Sequence, residues 1–255
     1  MSSRRGGTYL DTPWPRVLAH RGLAIEAPEN TLLAFLKALS TGATHVETDV
    51  HATLDGIAVI SHDRDLSRLV GRDIRVDQLT LAELKRIDLG HGQSFASLAE
   101  ALDAFPETRF NIDVKSDDAI EATALAVRHA GAVARVLVTS FSESRRQRTV
   151  ALLPGVASSA SAPRFALALL AARLGMSDSV RRALDGLVAV QIPEHAAGLR
   201  IVTPRLLRAV HRAGLEVHVW TVNEPADMTR LLDLGVDGLV TDRCDVAVSL
   251  VGSRG

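Results

Sequence analysis

Short apolar runs rich in β-branched residues alternate with helical stretches eight times along this chain, and that rhythm constrains the fold more than any other feature. The runs span residues 16–20, 45–50, 109–115, 136–141, 156–161, 187–192, 216–222 and 238–242. Such runs suit parallel strands that are covered on both faces. Helical spacing follows over 31–39, where Asn30 is the expected N-cap and Gly42 lies just past the end. It returns over 119–130, in a charged stretch after Phe141, over 165–174, after Thr203-Pro204, over 225–234 and through Val251. Eight βα units in 255 residues match the size of a closed barrel. An open doubly wound sheet fits less well, because no G-x-G-x-x-G turn follows the first strand. The expected fold is therefore α/β, a TIM (β/α)8 barrel forming a single domain over residues 1–255. One stretch, about 63–97, breaks the rhythm. It follows the Asp55-Gly56 turn and a short run at 57–62, is charged, and carries a local helix start at 79–84. It reads as a small insertion between the second strand and its helix.

Composition narrows the function classes. With 29 basic against 30 acidic residues, the net charge of -1 gives no bulk attraction to nucleic acid or an anionic membrane. Cys244 is the only cysteine, which excludes an intrachain disulfide and a cysteine-rich zinc site. Residues 1–7 are basic but lead into Thr8 to Pro13 rather than an apolar segment. The greasy stretch 165–174 is too short to span a bilayer and contains Arg173. The expectation is a cytoplasmic protein with no nucleic-acid partner and no stable membrane insertion. Nothing in the sequence fixes its oligomeric state.

In a barrel, chemistry sits at the C-terminal ends of the strands. The polar residues there are His20, Arg21, Glu47, Asp49, His62, Asp63, Asp113, Lys115, Trp220, Asn223 and Asp242. Strand alternation puts Glu47 and Asp49 on one face, and likewise Asp113 and Lys115. Converging buried carboxylates repel and rise in pKa unless a cation neutralises them, and a hard divalent metal held by oxygen ligands does so economically. Paired imidazoles, His20 and His62, can serve as acid and base around a reacting phosphorus. Arg21 and Lys115 supply charge suited to a phosphate. Taken singly, each has a plainer reading: Trp220 as core, Lys115 as an ion pair of Asp113, Asp242 as a cap of the final helix. Their joint occurrence at strand ends favours a phosphodiester-cleaving site.

The ordered motifs sharpen this. His20-Arg21-Gly22, Ala27-Pro28-Glu29-Asn30-Thr31, Glu47-Thr48-Asp49-Val50, Ser61-His62-Asp63, Ile112-Asp113-Val114-Lys115, Trp220-Thr221-Val222-Asn223 and the run from Gly235 to Asp242 together resemble the glycerophosphodiester phosphodiesterase family. The resemblance extends from residue 17 to about 245. It implies a barrel with a small insertion after the second strand, and metal-assisted hydrolysis of a glycerophosphodiester to glycerol 3-phosphate and an alcohol. By the same resemblance His20 and His62 form the acid/base pair, and Glu47, Asp49 and Asp113 hold a divalent metal (Mg2+, Ca2+ or Mn2+). Arg21 and Lys115 contact the phosphate, Trp220 lines the glycerol pocket, and Glu29 and Asn30 brace the rim. Two positions depart from the family pattern: Asp113 stands where a glutamate is usual, one methylene shorter, and Cys244 stands where a proline is usual. Attack by water and attack by the glycerol 2-hydroxyl, through a cyclic phosphate, both remain open. A lysophospholipid substrate is the nearer alternative, and would call for an exposed apolar patch among Leu66, Leu69, Val70, Ile74, Leu79 and Leu81 of the insertion. A non-catalytic phosphate-binding barrel is the other.

Overall fold

The computed structural model describes residues 7–254. The basic N-terminal stretch therefore lies outside the described residues up to position 6. Eight parallel strands form the barrel: β1 (Arg16–His20), β2 (His45–Ala52), β3 (Arg109–Val114), β4 (Val136–Thr139), β5 (Ala157–Ser158), β6 (Ala189–Pro193), β7 (Glu216–Trp220) and β8 (Gly238–Thr241). Eight helices cover them: α1 (Leu32–Ser40), α2 (Leu98–Ala104), α3 (Ala119–His129), α4 (Glu143–Ala151), α5 (Ala162–Leu174), α6 (Pro204–Arg212), α7 (Pro225–Leu234) and α8 (Cys244–Gly252). The strand order is β5-β4-β3-β2-β1-β8-β7-β6, parallel throughout. A single bridge between Ser159 and Ala189 closes the ring. The expected (β/α)8 barrel is the fold observed.

Alternation along each strand sorts its side chains. In β2 every residue is buried: Val46 and Val50 point outward into one apolar belt under the helices, while Glu47 and Asp49 point into the barrel. Val17 and Ala19 of β1 join the second belt, with α6, α7 and α8. The floor of the barrel is apolar around Tyr9, Leu137, Ala157 and Val188. A buried ion pair lies beside it, Arg16 Nε and Glu216 Oε2 at 2.7 Å.

The insertion packs on its own small core of Leu66, Val76, Leu79, Leu84, Ile87 and Phe95 against Val59. Leu69, Val70, Ile74 and Leu81 pack onto it. The apolar residues that a lipid-facing patch would need are thus used in holding the insertion together. Capping boxes, Thr80 with Glu83 and Ser97 with Glu100, start its short helix and α2. The run near 57–62 is a three-residue strand, Ala58–Ile60, antiparallel to the end of β2.

Three differences from the sequence reading have local causes. Thr31, not Asn30, caps α1, its side chain accepting from the Ala34 amide, because Asn30 is committed elsewhere. Helix α5 begins at Ala162, with proline in its first turn. A further helix (Ser177–Ala183) and a hairpin (His195–Ala196 with Leu199–Arg200) are too short to leave a periodic signal. Among the described residues, no helix is long and apolar enough to cross a membrane.

Candidate active site

The C-terminal ends of the strands surround a cavity of ≈ 390 Å³. Eight of the ten residues given roles from the sequence line it: His20, Arg21, Glu47, Asp49, His62, Asp113, Lys115 and Trp220. Glu29 and Asn30 stand behind this lining.

The turn after β1 builds the first corner. Arg21 (φ 56°) and Gly22 (φ 83°) both adopt left-handed backbone. A Cβ at Gly22 would lie 2.6 Å from the Ala34 carbonyl carbon of α1, so only glycine lets the helix approach this closely. Arg21 is thereby aimed at Glu29 (3.0 Å) and Asp49 (3.3 Å). Asn30 (φ 57°) donates to Asp49 Oδ2 at 3.2 Å and accepts from the Thr48 hydroxyl at 2.8 Å, bracing the carboxylate instead of capping a helix.

Strand register stacks the carboxylates in two layers. His20, Glu47 and Asn111 are partners across β1, β2 and β3, and Asp49 faces Asp113 one layer higher. Glu47, Asp49 and Asp113 are all buried. Lys115 Nζ lies 2.7 Å from both Asp49 Oδ1 and Asp113 Oδ2. Burial alone would raise Asp49, but Lys115 and Arg21 outweigh it and hold the group below the usual carboxylate range. Burial, and then the Asp49 charge, push Glu47 up. Burial also raises Asp113 against the pull of Lys115. Burial opposes charge on Lys115, yet Asp113 and Asp49 more than offset it and raise the ammonium.

As they stand, no three His, Cys, Asp or Glu side chains among the described residues are grouped as a metal site. Lys115 is the cation that bridges Asp49 and Asp113. The donor set nevertheless suits a hard divalent ion, since it consists of carboxylate oxygens. Glu47 has the raised pKa of a buried carboxylate that lacks a matching cation.

Each histidine has its own carboxylate. His20 Nδ1 lies 2.6 Å from Asp242 Oδ1, and Asn223 Nδ2 donates to Asp242 Oδ2 at 2.7 Å. Burial works against the imidazolium, but the Asp242 hydrogen bond outweighs it and raises the His20 pKa. His62 Nδ1 lies 2.7 Å from Asp63 Oδ1. Arg68 of the insertion donates to Asp63 Oδ2 at 2.5 Å and to Glu29 Oε1 at 2.5 Å. A carboxylate at Nδ1 fixes the tautomer and leaves Nε2 of each ring for proton exchange.

Asp242 therefore does not cap the last helix, whose N-cap is Arg243 with no side-chain bond; it orients His20. The sequence reading gave no role to Asp63, and missed Arg68, Phe141, Phe165, Asn111 and Gln191. Phe141 packs edge-on against Trp220, ring centroids 6.1 Å apart, and forms the apolar wall with Phe165. Alternation offered a signal for Asn111, which lies two residues before Asp113 on the same inward face.

Residues 20–246 match the sequence model of the Glycerophosphoryl diester phosphodiesterase family. The chain is 42% identical over 240 residues to "Probable glycerophosphodiester phosphodiesterase 2" of Mycobacterium tuberculosis, covering 93% of this chain and 91% of that protein. It is 30% identical over 253 residues to a glycerophosphodiester phosphodiesterase of Caldanaerobacter subterraneus subsp. tengcongensis, covering 94% and 98%. Its fold is similar to that of an Oleispira antarctica phosphodiesterase solved with the product sn-glycerol-3-phosphate, with a TM-score of 0.77, 24% identity, and coverage of 94% and 97%.

Proposed function

The chain belongs to the glycerophosphoryl diester phosphodiesterase family, and from that premise we propose that its rim residues hydrolyse glycerophosphodiesters by acid/base catalysis between His20 and His62. The observation that carries this is the pair of His–carboxylate contacts, His20–Asp242 and His62–Asp63, at one cavity that also contains Arg21 and Lys115. Water adds across the phosphorus–oxygen bond to the alcohol. One imidazole takes the proton of the nucleophile and the other gives a proton to the departing alkoxide: attack by water yields glycerol 3-phosphate and the alcohol directly, while attack by the glycerol 2-hydroxyl yields the alcohol and a cyclic phosphate that water then opens to glycerol 3-phosphate. Arg21 and Lys115 bind the non-bridging phosphate oxygens and offset the charge that develops on them. Glu29 and Asn30 hold Arg21 and Asp49 in place for that purpose, and Trp220 and Phe141 wall the glycerol side.

Glu47, Asp49 and Asp113 would hold a divalent cation, Mg2+, Ca2+ or Mn2+, which would supply further positive charge beside the phosphate. Lys115 would then turn from its two carboxylates toward the substrate. The substrate is a small molecule, and we read the whole chain as one barrel domain that includes the insertion.

The test is release of glycerol 3-phosphate from glycerophosphocholine and glycerophosphoethanolamine, with EDTA and with each divalent cation restored. Metal-dependent release is expected. His20→Ala and His62→Ala should each lower kcat by roughly 10²–10⁴-fold with folding intact. Full activity in either variant removes that histidine from the scheme.

A further inference from the structure

A hydrogen-bonded chain runs through the middle of the barrel, from the Arg16–Glu216 ion pair up to the cavity, and its polarity can be read from one end. Arg16 Nε and Nη2 donate to the two Glu216 oxygens at 2.7 Å each. Burial would raise Glu216, but the Arg16 and His218 hydrogen bonds outweigh it and hold the group at about 2. Glu216 is thus an acceptor only. His218 Nε2, 3.0 Å from Glu216 Oε2, must carry the proton. The amide nitrogen of Gln191 faces His218 Nδ1 at 3.4 Å, and since an amide nitrogen only donates, Nδ1 is the acceptor. Gln191 Oε1 is then turned the other way and accepts from Asn111 Nδ2 at 3.3 Å. The last atom of the chain, Asn111 Oδ1, is buried with no hydrogen-bond partner among the described residues, on a side chain that lines the cavity. Gly238 makes room for this arrangement, since a Cβ there would lie 2.8 Å from His218 Cδ2.

We infer that Asn111 Oδ1 is the acceptor for a hydroxyl of the substrate's glycerol moiety, and so selects a polyol ester. This rests on the hydrolase reading above. In glycerophosphocholine the phosphate oxygens offer no proton and the quaternary ammonium no N–H, so the glycerol hydroxyls are the donors that fit. A buried acceptor left unpaired penalises any ligand that lacks the donor, which is how a polar site rejects a deoxy analogue.

The experiment compares glycerophosphocholine with the phosphocholine diesters of propane-1,2-diol and propane-1,3-diol, each missing one hydroxyl. Wild type should favour glycerophosphocholine over at least one analogue by roughly 10–100-fold in kcat/KM. In Asn111→Leu that preference should collapse, through a raised KM for glycerophosphocholine. Equal turnover of all three by wild type overturns the inference without needing any variant. An Asn111→Leu enzyme that loses activity on all three in equal proportion also overturns it, because that is the mark of a structural role. A wild type that cleaves other diesters but not glycerophosphocholine overturns the substrate reading itself.

Discussion

His20 and His62 are each tied at Nδ1 to a carboxylate, of Asp242 and of Asp63. The Asp242 contact lifts His20 above its ordinary pKa although burial works against the charged ring. Asp242→Asn should therefore lower that pKa. The limb of the kcat/KM profile governed by His20 should move to lower pH, and the rate should fall on the order of 10²-fold. A pH profile checks this, and an unmoved limb would separate Asp242 from catalysis. Gly22→Ala combines a left-handed backbone with a Cβ placed 2.6 Å from Ala34. It should lose on the order of 3 kcal/mol of stability, read as a fall in urea midpoint. Eight of the ten residues given roles from the sequence line this cavity, since they come from the barrel strands or the segments just after them, where alternation and order along the chain suffice. Arg68 did not stand out, since its partners Asp63 and Glu29 lie 5 and 39 positions away and no periodicity connects them.

The insertion reaches the site through one side chain. Arg68 grips Asp63, which orients His62, and Glu29, which orients Arg21. Arg68→Ala should lower kcat about tenfold, the effect of losing charge-assisted hydrogen bonds, while the secondary structure is retained. If only the melting temperature moves, Arg68 stabilises the insertion and does no more. The insertion was visible in the sequence as a break in the βα rhythm, and its capping boxes were there to be read. Its packing was not, because Leu66 and Leu79 look the same in a sequence whether they face solvent or one another. Likewise β5 was expected over 156–161 but forms a regular strand only over Ala157–Ser158, with a lone bridge at Ser159 beyond it. Small residues there give little side-chain area to hold a strand.

Two groups buried inside the barrel lower its tolerance of acid. Burial pushes His45 down to about 3, its Nε2 bonded to the Tyr9 carbonyl at 3.0 Å. Below pH 6.5 the unfolded chain binds a proton there that the folded barrel refuses, so stability drains away as pH falls toward 3. Glu216, held at about 2, adds stability that is present above 4.5 and lost between 4.5 and 2. From His45 alone, unfolding between pH 7 and 4 should become easier by about 3 kcal/mol. Urea titrations of wild type and His45→Gln at the two pH values test this: the pH-dependent change should be less unfavourable in the variant by that amount. The count of βα units made closure of the barrel legible, whereas the strength of each junction depends on register, which composition does not encode. Strands β2 and β3 are paired over six positions from His45–Arg109 to Val50–Val114. The β5–β6 junction has only the Ser159–Ala189 bridge, with the Ala160 and Val188 amides bonded across it at 3.0 Å each. That junction is the seam of the cylinder. Those two amides should exchange with deuterium well before the amides of β2 and β3. Unzipping there would turn an edgeless sheet into one with two free edges, so aggregation of the partly opened protein should begin at this seam.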